Sequence, residues 1–490
     1  MRLISIPIGA WCLAAFVILG LPAPASASFR PVYGGGAKLG ADGHIATHDP
    51  ARATTDAERL LARAAHCTIA DIVSSVEKAD ETRVLIRLLE NLVFHDGTRL
   101  QASDVERSLR RVAAMRPASP FAWRLLAIAQ RDTGNELELG ITVKSPTMLE
   151  IDLVSSDMDI IEWLDDPGLA IVKADGLTGC GPFMRSRIEG ERPPRLLESG
   201  GPSLSALSLT PFERHPGGRP FLDNLRIVPL GSAPRPGDEL DGAEGLLSRR
   251  TTSTVVHDRQ LIFIRIAGSG DIDPTLRHKI SSSLDREAMA RLFMGPGARP
   301  IESFALLAAS MGKQEPSTPR QDSTSPTGSE PEGMIIGYDR ASPTQRRLAE
   351  RIQLRLHDDG IHARLSALQD LDHPPREGEP RLLLDVLDDL PTCPVKRIVS
   401  IAHHVGGPEV ARPALMSLLE SSEPEHRVTL TTSLEVDLGL ITLASQPRHS
   451  WLSKSLHPST ICKAKGLDPA AIWRLPDELG QAIPAPRGGY

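Results

Sequence analysis

Between Arg83 and Met115 the spacing of apolar positions changes from that of a strand to that of a helix. Val84, Ile86 and Leu88 recur at every second residue, and so short an apolar run bounded by turn residues predicts a buried strand. The chain turns at Glu90-Asn91. Leu92-Val93-Phe94 then gives a second extended run, and His95-Asp96-Gly97-Thr98 has the side-chain acceptors and the glycine of a tight turn, so a hairpin is expected. Beyond Leu100, Val105, Leu109 and Val112 recur at helical spacing with Arg107, Arg110 and Arg111 between them, and Ser103 with Glu106 reads as a capping box.

The same two periods organise the rest of the chain. Thr55 and Glu58 form a capping box for a helix that ends near Cys67, with Leu60, Leu61 and Ala64 on one face. A helix is predicted after Ser119-Pro120, and strands over Gly140–Val143 and Leu149–Leu153. Leu261–Ile266 is a strand followed by a helix capped at Asp273-Pro274, and Leu284-Asp285-Arg286 leads into another helix. Met334–Tyr338 is a strand, Ser342-Pro343 opens a helix, and Gly360 ends it before a further extended run to Leu365. Arg381–Val386 is a strand, Pro408–Glu435 is helical, and Leu438–Leu443 is a strand. From Gly312 to Gly333 no aliphatic or aromatic residue occurs, which predicts a disordered insert, since nothing there offsets the entropy of ordering.

A chain of 490 residues exceeds what one core supports, so two or more lobes are expected. Apolar content of 40% and charged content of 24% are those of a globular protein, but aromatic residues make up only 4%. The net charge of -7 gives no electrostatic reason for a nucleic-acid or anionic-membrane partner. Arg2, the apolar run to Leu21 and the Ala25-Ser26-Ala27 ending predict a leader over residues 1–27, cleaved before Ser28, and therefore an exported, periplasmic or extracellular protein. Cys12 falls in that leader in a context unlike a lipid-attachment sequence. Cys67, Cys180, Cys393 and Cys462 are spaced unlike any C-x-x-C motif, which leaves buried thiols or one structural disulfide of unassigned pairing.

The stretch Phe94-His95-Asp96-Gly97-Thr98, with Ala102, Asp104-Val105 and Ser108-Leu109-Arg110 after it, resembles a segment of the family 5 extracellular solute-binding proteins, the oligopeptide, dipeptide and nickel-chelate receptors of ABC importers. Where that family usually has Gly, this chain has Asn91, a residue that tolerates left-handed geometry. Further segments resemble the family in the same order: Tyr33-Gly34-Gly35, Asp49-Pro50, Gly179-Cys180-Gly181-Pro182-Phe183, Gly218-Arg219-Pro220-Phe221-Leu222-Asp223, and Leu284-Asp285-Arg286-Glu287-Ala288. Cys180 replaces the usual Thr. The resemblance implies an α/β fold, a two-lobe periplasmic binding protein of class II type with a third, smaller domain and lobes discontinuous in sequence. Lobe I would comprise 28–66, 173–255 and 440–490, the small domain 67–172, and lobe II 256–439.

It also implies a monomeric, non-enzymatic component of an ABC importer that binds a peptide or similar small molecule between its lobes and meets the importer's permease subunits, with no cofactor. The alternative is a degenerate member that keeps the scaffold as an exported interaction or sensing module; nickel-chelate binding ranks below both. In the family's peptide receptors an Asp preceding a Tyr meets the ligand's ammonium group. Asp389 matches that acid, with Leu390 in place of the Tyr. His403-His404 downstream is the candidate pair for a metal or metal chelate, imidazole being a common ligand. No catalytic motif of the H-E-x-x-H, G-x-S-x-G, Walker or calcium-loop kind occurs.

Overall fold

The computed structural model describes residues 31–132, 137–156, 158–185, 206–230, 240–244, 253–267, 274–294, 297–304, 334–340, 342–368, 381–391, 393–420, 423–453, 455–458 and 467–474. The leader at 1–27 with Cys12, the insert at 312–333, Asp273 and Cys462 lie outside the described residues.

The first strand, β1 (Gly36–Asp42), is followed by α1 (Asp56–Ala65). The predicted box caps α1: Thr55 Oγ1 accepts from the Glu58 N–H and a Glu58 carboxylate oxygen from the Thr55 N–H, each at 3.2 Å. Next comes a module with its own four-stranded antiparallel sheet. Its strands are β2 (Val73–Lys78), β3 (Arg83–Leu88), β4 (Ile141–Ser145) and β5 (Met148–Asp152), in the order β2-β3-β5-β4, with α2 (Ala102–Ala114) packed on it.

The expected hairpin of Val84–Leu88 with Leu92–Phe94 does not form. Both edges of β3 are taken, Val84 lying opposite Lys78 on one side and Ile151 on the other. Asn91, at a φ of 58°, then turns the chain away, and Val93 makes only a single bridge to Arg99 across the tight turn. The cap of α2 also differs from the Ser103/Glu106 expectation. The helix already begins at Ala102, so Asp104 accepts from the Gln101 N–H at 2.8 Å and Glu106 pairs with Arg110 one turn on.

Cys67 and Cys180, which lie on either side of this module's strands in the chain, form a disulfide, with Cα atoms 5.2 Å apart. The pairing left open by the sequence is thereby assigned, and Cys393 is a free thiol.

Ten further strands join β1 in one eleven-stranded sheet, while Gln130–Asp132 pairs with Leu137–Leu139 and Leu456–Pro458 with Ile472–Arg474 in two separate two-stranded sheets. β6 (Phe183–Arg185), β7 (Leu207–Pro211), β8 (Asn224–Leu230) and β9 (Gly242–Glu244) lie around β1, which pairs in parallel with β8 and β9. β10 (Ser253–Ala267) leads into α3 (Pro274–Ser283), α4 (Arg286–Phe293) and the two-residue β11 (Arg299–Pro300). β12 (Met334–Asp339), α5 (Pro343–Asp358), β13 (Ala363–Leu368) and β14 (Arg381–Leu390) follow. The chain then forms α6 (Pro394–Glu420), α7 (Pro424–Asp437) and β15 (Leu440–Leu452).

β10 and β15 run antiparallel through the middle of the sheet, from Ser253 opposite Leu452 to Arg265 opposite Leu440. One end of the pair is flanked by β9 and the other by β14. Two lobes therefore share one sheet. Alternation along the strands divides the core accordingly. Ile262, Ile264, Leu382, Leu384 and Ile441 face α3, α4 and α5, while Leu261, Phe263 and Leu440 face the opposite side. Leu39, Leu225 and Ile227 pack against Leu60 and Leu61 of α1 in the proximal lobe.

Candidate functional site

α6 is the element that brings the distal lobe to the small module. Its first half was not legible as a helix, because it is apolar on two sides and shows no single stripe. Ile398, Val399 and Ala402 are buried in the module's core, and Ile401 and Val405 lie against Leu261, Phe263 and Leu440 of the distal sheet. The helix breaks at Gly407, whose φ of 68° a residue with a β-carbon rarely adopts. Beyond the break Ala411, Leu415 and Leu418 return to the module's core.

The contact carries one buried cation. Lys396 Nζ lies 2.7 Å from Glu162 and 5.4 Å from the centroid of the Trp163 ring, where its charge meets both a carboxylate and the electron-rich ring face. Trp163 in turn packs edge-on to Trp123, and Arg124 covers Trp123 from 4.6 Å. Two of the chain's scarce tryptophans are thus concentrated beside α6.

Beneath α6, on the face of the sheet that carries Phe263, a polar group is built into the apolar surroundings. Asp385 on β14 is buried, and its Oδ1 lies 3.1 Å from His404 Nε2 and accepts from the Val386 N–H at 2.8 Å. Arg265 stands 3.8 Å from its other oxygen. Burial by itself raises the Asp385 pKa, but the His404 charge and hydrogen bond, with Arg265 and the Val386 N–H, outweigh it and hold the carboxyl below its ordinary value. Phe263 packs edge-on against the His404 ring. The arrangement fixes α6 on the sheet and keeps a carboxylate ionised in a dry setting.

A second buried acid closes the same face. Glu435 accepts from Ser303 Oγ at 2.6 Å and from the Phe304 N–H at 3.2 Å. Burial raises its pKa, opposed by those hydrogen bonds and by Arg277 and Arg286. Nothing in the local sequence marks Asp385, Arg265 or Glu435 as a group, since they come from three separate segments.

Asp389 is placed on β14, four residues beyond Asp385, and its side chain lies outside the described residues. His403 and His404 differ in setting: His404 binds Asp385, whereas His403 is buried with its pKa lowered to about 4, by burial and then by the charge of His404. Among the described residues no three His, Cys, Asp or Glu side chains gather so as to hold a metal ion. Nor is any described helix long and apolar enough to cross a membrane.

This architecture, two lobes sharing a central pair of long strands with a smaller module inserted near the start of the chain, is that of a two-lobe periplasmic binding protein. No family model and no curated protein matches the sequence. Solved structures do match in fold. The chain superposes on the pheromone receptor PrgZ with a TM-score of 0.68 at 13% identity, over 90% of this chain and 99% of that one. On Haemophilus influenzae OppA in complex with RPPGFSPFR the TM-score is 0.67 at 12% identity, over 91% and 100%. On the Escherichia coli murein tripeptide binding protein MppA it is 0.65 at 15% identity, over 90% and 99%. The resemblance to family 5 solute-binding proteins seen in the short motifs thus extends through the fold of nearly the whole chain.

Proposed function

We propose that the protein is the exported solute-binding component of an ABC importer and closes its two lobes around a peptide or a similar small solute. One observation carries this reading: the fold matches, over about nine tenths of the chain, that of proteins described as peptide receptors and peptide-binding proteins. The β10/β15 pair is the natural hinge, because a two-stranded connection bends more readily than the packed sheet on either side. Asp389 is the proposed anchor for a ligand ammonium, whose desolvation needs a carboxylate partner. Like its fold neighbours, the chain is read as a binding protein and not an enzyme.

Calorimetry of the purified protein against dipeptides to nonapeptides, each with a free and an acetylated amino terminus, tests the reading. Binding of free-amino peptides that Asp389→Ala weakens by tenfold or more, about 1.4 kcal/mol, is the expected result. Silence across the series removes it.

A second reading, a scaffold kept as an exported interaction or sensing module, is favoured by α6. Its two apolar faces tie the distal sheet to the small module. On that reading small-angle scattering gives the same compact particle with and without every peptide tested, whereas an importer component contracts when peptide is added.

A further inference from the structure

Three sequence motifs that served only to suggest a fold meet at one place. His95 of the 94–98 turn donates its backbone N–H to the Gly179 carbonyl at 2.9 Å, and its Nε2 lies 3.0 Å from the Gly181 carbonyl. The His95 ring stands edge-on to Phe212, 4.9 Å away, just before the loop that carries His215. Gly181 also bonds the Ala65 carbonyl at the end of α1, and the disulfide lies between these contacts. The module is therefore attached to the proximal lobe through a seam lined by His48, His66, His95 and His215.

This seam is tailored to neutral imidazole. His66 is 4% exposed, its ring is hydrogen-bonded to the His48 backbone, and its Nδ1 has no partner; a β-carbon added at Gly179 would stand 2.5 Å from that nitrogen. A proton on Nδ1 would therefore find no acceptor among the described residues. His215 Nδ1 already accepts from the Gly217 N–H, and the buried Nδ1 of His48 and Nε2 of His215 are also unpartnered.

The charges that face the rings do not compensate. Arg185 opposes a charge on His48, while Glu58 favours one; His95 and His48 oppose a charge on His66, and Asp49 favours it. His95 faces His215 and Asp96, and His215 faces Asp71 and Asp468. Those carboxylates favour a proton on the rings, but burial outweighs them, and none is free to turn toward a ring: Glu58 is held by four backbone N–H groups from Ala46 to Thr55, and Asp49 by both arms of Arg111. Asp96 holds Lys173, Asp71 accepts from the Thr68 N–H, and Asp468 accepts from the Ala470 N–H.

We propose that this seam is a proton-sensitive joint: mild acidification loosens the docking of the small module on the proximal lobe, while the Cys67–Cys180 disulfide keeps the module tethered. Burial, foremost, lowers the imidazole pKa values, to about 4 for His48 and about 3 for His66, against 6.5 for a free ring. The loosened state thus takes up protons that the docked state refuses. Docking is at full strength above 6.5 and weakens as the pH falls from there toward the docked-state values.

Hydrogen exchange followed by mass spectrometry on the purified protein, at pH 7.5 and 5.0 and corrected for intrinsic rates, tests this. Peptides covering 64–67, 92–97 and 179–183 are expected to exchange roughly tenfold faster at pH 5.0, with β12 and β14 unchanged. Acid-induced exchange that is uniform, or that starts in the distal lobe, overturns the proposal. The pair His48→Gln, His66→Gln is expected to shrink the pH response of those peptides; an undiminished response also overturns it. Should that pair fail to fold, the map of the unaltered protein decides alone.

Discussion

The small module is held to the two lobes in different ways. On the proximal side it is joined by a disulfide, by backbone hydrogen bonds from the glycines on either side of Cys180, and by histidines packed against those glycines. On the distal side it meets α6 through aliphatic side chains and the Lys396–Glu162 pair. Directional bonds between backbones have a single register, so on the proposal above the first joint is fixed at neutral pH. Apolar contact depends mainly on the area removed from water and can separate and re-form without leaving polar groups unsatisfied. On the proposed reading the module and the proximal lobe move together, and α6 is the contact that opening would break.

Four variants sharpen this contrast. The largest effect is expected from Cys67→Ser with Cys180→Ser. The bond closes a loop spanning 113 residues, and its loss is expected to cost about 2–5 kcal/mol, read as a lowered midpoint in urea. Leu415→Ala on α6, at a side chain 1% exposed, is expected to cost about 2–4 kcal/mol through the cavity it leaves. Scattering should also show a wider, opened particle for this variant and not for the disulfide variant. The reverse pattern would invert the assignment of the rigid and separable joints.

Asp385→Asn removes the charge that His404 and Arg265 face and is expected to cost about 1.5–3 kcal/mol. Because the Asp385 pKa is lowered in the fold, its contribution is present above the ordinary carboxylate value and is lost as pH falls through the folded one. The acid limb of a stability profile should therefore flatten in the variant. Glu162→Gln is expected to change stability by less than about 1 kcal/mol, since Glu162 is 65% exposed and well solvated. A larger loss in thermal unfolding would make the ion pair, and not the apolar face, the main bond of α6.

Where local chemistry suffices, the linear reading and the fold agree. Thr55 and Glu58 cap their helix, Asn91 adopts the left-handed turn, Ser342 caps the helix that Gly360 ends, and Asp285 caps α4. Each depends on residues within a few positions of one another, so the pattern carries its own cause. One local reading slipped by a few residues, the cap of α2 lying at Gln101 and Asp104 rather than Ser103 and Glu106, but the larger errors have the opposite character. Leu92–Phe94 has the composition of a strand, but β3 had no free edge to offer it. α6 shows no helical stripe in its first half because tertiary packing covers it on two sides.

The sequence by itself determined the caps at Thr55, Asp285 and Ser342, most of the strands and the order of motifs that pointed to a two-lobe binding fold. Only the tertiary structure decided that Cys67 meets Cys180, that Asp385 meets His404 and Arg265, and that four histidines line one seam. The physical reason is range. A cap or turn is stabilised by neighbours along the chain, whereas a disulfide or a buried charge needs partners from distant segments that only the packing of the core brings within a few ångströms.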